Sequence, residues 1–295
     1  MSISLASRGR KIKSLPKNLE FPLDGSIDQL KEEISQKTRL PIERLRLSTV
    51  DGTVLIPGKT LRKFGIGTGT TIWVKDLGPQ IGWRTVYVIE YLGPLIIHSL
   101  FVLGLKHVYR QEFNLSLNQK IAFIMIILHF LKREYESIYV HRFSSATMPF
   151  RNIFKNCFHY HVLSGLLLAF FIYGPWHSQD YICPKLLAFY SFGWTVSLLS
   201  NLKIHLKLRD LRPEGSSKRA IPYGFGFNWV SCPNYFFESL EWLFFALITR
   251  SWASWLFLAV GSAQMWVWAQ KKHQRYVKEF PNYPKSRKVL IPYFM

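Results

Sequence analysis

Apolar residues alternate with polar ones in short runs near the start of the chain, and this pattern predicts a small domain of strands around one helix. Alternation over residues 2–5 and 44–48 predicts β-strands. Apolar positions at helical spacing predict a helix over residues 26–37 with its first serine as the N-cap. A tight turn is expected at Asp51-Gly52 and a last strand over residues 70–75. We therefore expect a first domain over residues 1–76.

From residue 82 onward the pattern changes to long apolar segments that approach the length needed to cross a bilayer, roughly 20 residues. The segments are residues 82–105, 117–139, 156–176, 184–204, 235–248 and 251–269. The fifth is short and could pair with the sixth as a hairpin broken near Arg250. We expect a multi-pass α-helical membrane domain over residues 77–295, with six transmembrane helices, or seven if residues 222–230 enter the bilayer.

Basic clusters flank these segments at residues 142–155, 203–219 and 271–288. Short loops rich in Lys and Arg tend to stay on the cytosolic side. An even number of spans would return the C-terminus to the side of the N-terminal domain, which begins without an apolar signal-peptide core. We therefore expect both termini in the cytosol.

The composition combines 16% aromatic residues with a formal net charge of +20. A nucleic-acid binder would spread its basic residues over an exposed face, whereas here they flank apolar runs and suit an anionic lipid surface. We expect no nucleic-acid partner. The three cysteines, Cys157, Cys183 and Cys232, form no CxxC pair, so neither a disulfide framework nor a metal site is expected. No GxGxxG motif follows a strand, so any nucleotide would bind without a Rossmann fold.

The first two apolar segments carry polar groups that are expensive in a membrane and therefore candidates for function. Glu90 lies in the middle of the first segment, and a hydrogen bond to another helix is the alternative. His129, Lys132, Arg133 and Glu136 share one helical face of the second segment. Lys132 and Arg133 could hold phosphates or polarise a carbonyl, or they could extend towards the membrane interface.

The fourth segment runs into a basic stripe of Asn201, His205, Arg209 and Arg212, which lie on one helical face. Guanidinium groups match phosphate oxygens in pairs, so the stripe suits a phosphate-bearing ligand. Binding of lipid headgroups explains the arginines equally well but leaves Asn201 unexplained.

Two further polar groups follow near the C-terminus. Asn234 and Glu238 share a helical face with Tyr235 beside them, although a tyrosine near a membrane interface often serves only as an interfacial anchor. The other group lies where the last apolar segment ends and consists of Lys272, His273 and Tyr276.

Residues 1–76 resemble the ubiquitin fold in their order of hairpin, helix and short strands. The likeness includes Leu40-Pro41 after the helix and 61–66 before the final strand. Leu77-Gly78 runs directly into an apolar segment, so a free Gly-Gly tail for conjugation is missing. The resemblance implies a docking or folding module with a β-grasp α+β fold.

The C-terminal motifs resemble the steroid 5α-reductase family. They are Leu208-Arg209-Asp-Leu-Arg212-Pro, Val230-Ser-Cys-Pro-Asn-Tyr235, Glu241-Trp242 and Tyr283-Pro-Lys-Ser-Arg-Lys-Val-Leu-Ile-Pro. Within it, Glu90-Tyr91-Leu-Gly-Pro, Lys132-Arg133 and the run from His141 to Cys157 resemble the very-long-chain trans-2,3-enoyl-CoA reductases. The match covers essentially the whole chain.

The resemblance implies NADPH-dependent reduction of the 2,3-double bond of a very-long-chain enoyl-CoA, the last step of fatty-acid elongation in the endoplasmic reticulum. It implies Tyr235 as the general acid, with Glu90, Lys132 and Arg133 assisting. The implied cofactor positions are Asn201, Arg209, Arg212, Asn234, Glu238 and Tyr276, and we add His205, Lys272 and His273 as candidates from their polar groups. Elongase, 3-ketoacyl-CoA reductase and 3-hydroxyacyl-CoA dehydratase are the expected partners, besides membrane lipid.

The chain also departs from the steroid reductases at three positions. Phe130 stands where they carry a tyrosine, His205 where they carry an acid, and Trp268 where they carry a basic residue. Three alternatives stay open from the sequence: a reductase of a sterol or polyprenol, a membrane methyltransferase of the isoprenylcysteine type, and a non-catalytic scaffold of a lipid-synthesis complex.

Overall fold

The computed structural model describes residues 1–143, 146–212 and 220–294. These residues form two compact units. The first unit contains Met1–Trp83 and the described part of Ser145–Ile153. The second contains the described residues of Arg84–Ser144 and Phe154–Met295.

A four-stranded sheet and one helix build most of the first unit. The strands are β1 (Ser2–Ser7), β2 (Asn18–Glu20), β3 (Leu45–Ser48) and β4 (Thr71–Asp76), and the helix α1 is Ile27–Thr38. The sheet order is β2-β1-β4-β3, with a parallel central pair and antiparallel outer pairs. Because parallel strands require a crossover, α1 lies between the central strands in the sequence. The predicted β-grasp arrangement is confirmed.

The local sequence explains α1 and its position on the sheet. Ser26 Oγ accepts a hydrogen bond from the Gln29 amide at 3.1 Å, and Gln29 Oε1 accepts one from the Ser26 amide at 2.9 Å. This capping box satisfies two backbone donors of the first turn. Ile27, Leu30 and Ile34 on one face of the helix are fully buried against the sheet. The predicted helix and its N-cap are therefore confirmed.

Short elements complete the first unit. Single 3₁₀ turns occupy Ile42–Arg44 and Leu61–Phe64. The predicted turn at Asp51-Gly52 is present, since the Gly52 amide donates to the Thr49 carbonyl at 3.1 Å. Strands β5 (Gln80–Gly82) and β6 (Thr147–Pro149) form a separate antiparallel pair, which the sequence pattern did not predict.

Every predicted apolar segment contains helix. The elements are α2 (Trp83–Leu103), α3 (Leu105–Tyr109), α4 (Leu117–Tyr135) continued by a π-helix (Glu136–Val140), α5 (Asn152–Cys157) continued by a π-helix (Phe158–Leu167) and α6 (Leu168–Ile172), then α7 (Pro184–Asp210), α8 (Pro233–Thr249) and α9 (Trp252–Glu279). A 3₁₀ turn lies at Pro175–His177. The predicted hairpin break between α8 and α9 is confirmed at Arg250, which has a φ of 52°.

Close helix contact and aromatic packing form the core of the second unit. A Cβ on Gly193 of α7 would lie 2.4 Å from the Phe244 ring of α8, so only glycine allows this approach. The Trp242 ring of α8 packs edge-on to Phe257 of α9, with 4.5 Å between ring centroids. These contacts bring the polar residues of α7 and α8 close together.

By length and composition, one helix in the described part of the chain, α2, is long and apolar enough to cross a membrane. Residues 222–230 form turns without a helix. The count of six or seven transmembrane helices stays a prediction.

Candidate active site

Polar side chains from α4, α7 and α8 meet inside the second unit. Lys132 Nζ of α4 donates to Oδ1 of Asn201 on α7. The Asn201 side-chain amide donates to the main-chain carbonyl of Asn234 at 2.8 Å and lies 3.5 Å from Glu238 Oε2. Asn201 is fully buried. Four of the residues predicted from three separate segments are therefore joined in one network.

Glu136 is the acidic centre of this network. Its carboxylate lies 2.9 Å from Arg133 Nη1, 2.9 Å from His205 Nδ1 and 3.4 Å from Lys132 Nζ. Because Glu136 is fully buried, its negative charge would be costly without Lys132 and Arg133, and the charges of those two residues would be costly without it. The carboxylate therefore holds Lys132 and Arg133 in place.

The helical spacing explains this arrangement. Lys132 and Arg133 precede Glu136 by one helical turn, so the three side chains share a face. Arg133 Nη2 also donates to Tyr91 Oη on α2 at 2.6 Å, and the guanidinium lies 4.9 Å from the centre of that ring. Arg133 is thus fixed from two helices and is only 9% exposed.

Glu90 lies beside Tyr91 on α2 and is 1% exposed. Its Oε1 atom has no hydrogen-bond partner among the residues that the structure describes. A buried carboxyl oxygen without a partner can accept a hydrogen bond from a ligand or donate one if it is protonated.

Tyr235, in the first turn of α8, is half-buried, and its ring lies 6.2 Å from that of Trp268. The electrostatic neighbours of its hydroxyl include Glu238, Tyr87 and Arg133. Asn234 directly precedes Tyr235, and its side-chain Oδ1 is buried without a hydrogen-bond partner within the described chain. The start of α8 therefore presents a free acceptor beside a phenol.

A second network ties the C-terminal segment to the start of α8. Ser231 Oγ lies 2.6 Å from His273 Nδ1 and 2.6 Å from Tyr283 Oη, and its amide donates to the Lys288 carbonyl at 2.8 Å. Burial and the charge of Arg287 lower the pKa of His273, so neutral imidazole is favoured. His273 therefore joins α9 to Ser231, which lies just before the helix α8 that carries Asn234 and Tyr235.

The remaining predicted residues lie at the ends of α7 and α9. Tyr276 is 6% exposed and stacks on Tyr283 at 5.4 Å, with Lys272 Nζ 5.8 Å from the Tyr276 ring centre. Arg209 pairs with its neighbour Asp210 at 2.9 Å. Arg212 Nη1 donates to the Arg142 carbonyl at 2.5 Å.

The structure brings further residues into contact with the predicted site. Tyr91 contacts Arg133 as described above, and His129 Nδ1 lies 2.5 Å from Glu241 Oε1 in a buried pair. Glu241 lies one helical turn beyond Glu238 on α8 and belongs to the motif Glu241-Trp242, but its pairing with His129 could not be predicted from the sequence. Tyr91 belongs to the motif Glu90-Tyr91-Leu-Gly-Pro, but nothing in that motif indicates its contact with Arg133.

The possible ligand atoms of Glu136, His141 and His205 lie within 4.8 Å of one another. This cluster could not be predicted from residue spacing, because His205 is remote in the chain from the other two residues. Lys132 and Arg133 already neutralise the same carboxylate, and their positive charges oppose a metal cation. The donor set therefore fits a hydrogen-bonded network better than a metal ion.

Comparison with known proteins identifies both units. The family described as 3-oxo-5-alpha-steroid 4-dehydrogenase matches residues 146–295, and the ubiquitin family matches residues 11–74. A ubiquitin-like domain thus precedes a helical domain of an oxidoreductase family. The chain belongs to the 3-oxo-5-alpha-steroid 4-dehydrogenase family, and the resemblance inferred from its motifs is confirmed.

Full-length relatives carry enoyl reductase names. The chain is 70% identical over 295 residues to a Schizosaccharomyces pombe protein named as an enoyl reductase, covering all of both chains. It is 41% identical over 280 residues to the very-long-chain enoyl-CoA reductase of Dictyostelium discoideum, covering 92% of each chain. It is 26% identical over 245 residues to the human protein named trans-2,3-enoyl-CoA reductase-like, covering 80% of this chain and 67% of that one.

Proposed function

We propose that this protein reduces the 2,3-double bond of very-long-chain trans-2-enoyl-CoA with NADPH and so performs the last step of the fatty-acid elongation cycle. The observation that carries the proposal is the buried network of Lys132, Arg133, Glu136 and Asn201, which reaches the first turns of α8. Buried charges at this density are poor stabilisers of a fold and therefore indicate function. The enoyl reductase names of full-length relatives indicate the substrate.

The residues around this network fit a nicotinamide dinucleotide. The free Oδ1 of Asn234 suits a carboxamide N–H, and the Glu238 carboxylate suits hydroxyl or amide donors. Arg209, Arg212 and Lys272 would bind phosphate oxygens. The remaining residues of the proposed cofactor site are Asn201, His205, His273 and Tyr276. NADPH, when bound, supplies the hydride that C3 of the substrate receives.

The catalytic residues of this chain would then handle charge and protons. Reduction at C3 places negative charge on the thioester oxygen, and Lys132 and Arg133 stabilise that charge. A donor directed at such an oxygen typically contributes about 2.7–4 kcal/mol. Tyr235 gives a proton to C2 as general acid, and Glu90, if protonated, donates a hydrogen bond to the substrate.

This chemistry also indicates where the protein acts and which enzymes it works beside. A very-long-chain acyl group partitions into lipid, so we propose a multi-pass protein of the endoplasmic reticulum membrane with cytosolic termini. A trans-2-enoyl thioester arises by dehydration of a 3-hydroxyacyl thioester, and the saturated product can be elongated again. A 3-hydroxyacyl-CoA dehydratase, a 3-ketoacyl-CoA reductase and an elongase are therefore the proposed partners.

The deciding experiment incubates the detergent-purified full chain with NADPH and a long-chain trans-2-enoyl-CoA. We expect loss of NADPH absorbance and formation of saturated acyl-CoA in equal amounts. A parallel reaction contains a 4-ene-3-oxo steroid or a polyprenol in place of the thioester. Folded protein that binds NADPH but reduces only the parallel substrate, or none, contradicts the proposal.

A further inference from the structure

The outward face of the N-terminal sheet carries an aromatic ring between basic side chains. Leu45 and Leu47 of β3 and Val74 of β4 point into the core, so the alternate residues Arg46, Trp73 and Lys75 point outward. Arg46 lies directly opposite Lys75 in the antiparallel register. Both side chains are exposed, and Trp73 is half-buried. We call this set the basic sheet face.

The connection between β1 and β2 extends this positive charge. Residues 8–17 contain five basic residues and no acidic one, and all five are exposed. Arg8 Nη1 donates to Ser48 Oγ at 3.2 Å, so its guanidinium lies on the same side of the sheet as the basic sheet face.

Nearby acidic groups are already engaged. Asp76 accepts hydrogen bonds from Arg44 Nε and Nη2 at 2.9 and 2.6 Å. Asp51 accepts from the hydroxyls of Thr49 and Thr53. No salt bridge to Arg46 or Lys75 is found within the described residues. Arg46, Lys75 and the five basic residues of 8–17 outnumber these two carboxylates, so the face keeps an excess of positive charge.

This charge pattern does not help the fold. Like charges directly opposite each other on neighbouring strands destabilise a sheet. An anionic partner would remove that repulsion. Charge complementarity therefore indicates a negatively charged surface as the occupant.

We infer that the basic sheet face binds the anionic headgroups of a lipid bilayer. Tryptophan and basic side chains together are typical of the membrane–water interface. Only six residues, 77–82, separate β4 from α2, and they span at most about 20 Å. If α2 crosses a membrane, as in the proposed function, the domain always lies near headgroups. This continuity favours lipid over an acidic protein segment.

The test uses the full chain in nanodiscs of phosphatidylcholine, with or without phosphatidylserine. Hydrogen exchange of residues 8–17 reports contact, because this connection has few backbone hydrogen bonds of its own. We expect several-fold slower exchange with phosphatidylserine, and the protection should disappear at high salt. In the double variant Arg46→Glu with Lys75→Glu, residues 8–17 should exchange equally fast in both kinds of nanodisc, at the rate seen for the unchanged protein in phosphatidylcholine alone.

The matched control is Lys59→Glu with Lys63→Glu, which makes the same change of charge at exposed positions outside the face. This control variant should keep the protection of residues 8–17 by phosphatidylserine. Unchanged hydrogen exchange in α1 shows that each variant is folded. Equal exchange in both discs, or protection that survives Arg46→Glu with Lys75→Glu, overturns the inference. Protection that requires an added acidic protein and ignores lipid composition also overturns it. The measurement needs neither NADPH nor enoyl-CoA, so its failure is distinct from failure of the proposed function.

Discussion

The two units use charge in opposite ways. In the first unit the buried residues are almost all apolar, and the Arg44–Asp76 pair keeps side-chain exposures of 28% and 18%. In the second unit Lys132, Arg133 and Glu136 pair with side-chain exposures of 8%, 10% and 0%. Apolar packing alone stabilises a small domain well, whereas buried ions stabilise poorly. The buried charges of the second unit are therefore explained better by the proposed reaction than by stability.

The largest effect is expected for Glu136→Gln. The change leaves Lys132 and Arg133 buried without their counter-charge, which typically costs about 3–5 kcal/mol. The measurement is the melting temperature in detergent together with hydrogen-exchange protection of α4. Glu134→Gln is the matched control, because the Glu134 oxygens have no hydrogen-bond partner among the described residues. If both variants lose the same stability, the buried network is not what distinguishes the second unit.

Tyr235→Phe should lower kcat about 10²–10³-fold while NADPH affinity stays the same, because it removes a proton donor but keeps the ring. The measurement is steady-state turnover with enoyl-CoA beside equilibrium NADPH binding. Tyr139→Phe, at a tyrosine that is 68% exposed, is the control and should match the unchanged protein. Parallel loss of binding and turnover would assign Tyr235 to the cofactor site or to the fold.

Ser231→Ala should cost about 1–3 kcal/mol, because His273 and Tyr283 would each lose a buried hydrogen-bond partner. The melting temperature should fall, and NADPH affinity should weaken if the network positions Asn234. Ser262→Ala removes a half-buried contact to Ser239 and should cost less. Equal costs would mean that the C-terminal segment does not hold the start of α8.

The smallest effect is expected in the first unit at acidic pH. Hydrogen bonds from Arg44 lower the pKa of Asp76, so the carboxylate stabilises the fold above its unfolded pKa of about 3.9. This contribution disappears as the pH falls through the folded-state pKa. Asp76→Asn should lower stability at neutral pH by about 1 kcal/mol and flatten the acid part of the stability profile. Asp24→Asn is the control, and an unchanged acid profile in Asp76→Asn would contradict the assignment.

Helix positions could be predicted better than helix ends. The predicted segments ended at residues 204 and 269, but α7 continues to Asp210 and α9 to Glu279. Hydropathy set the ends of the apolar segments, and only the predicted helical face of Asn201, His205, Arg209 and Arg212 extended the fourth helix beyond residue 204. Backbone hydrogen bonds of a helix do not depend on hydropathy, so both helices continue with basic side chains in the last turns.

The contacts of the candidate network that lie within one helix could be predicted from residue spacing. Lys132, Arg133 and Glu136 share a face of one helix, and Asn201 and His205 share a face of another, so their spacing could be calculated. Which residues of different helices contact each other could not be calculated from that spacing. Asn201 meets Lys132 across 69 residues of chain and Asn234 across 33, and Tyr91 meets Arg133 across 42.

Local sequence was therefore sufficient to predict the features that depend on neighbouring residues along the chain. It determined the capped helix α1, the alternating strands, the apolar segments and the family motifs, since each follows from residues within one or two turns. The pairing of buried ions required the folded chain, and so did the identity of the polar atoms without a partner among the described residues, such as Asn234 Oδ1 and Glu90 Oε1. Those outcomes depend on distances between remote segments, which helix packing sets and no local pattern encodes.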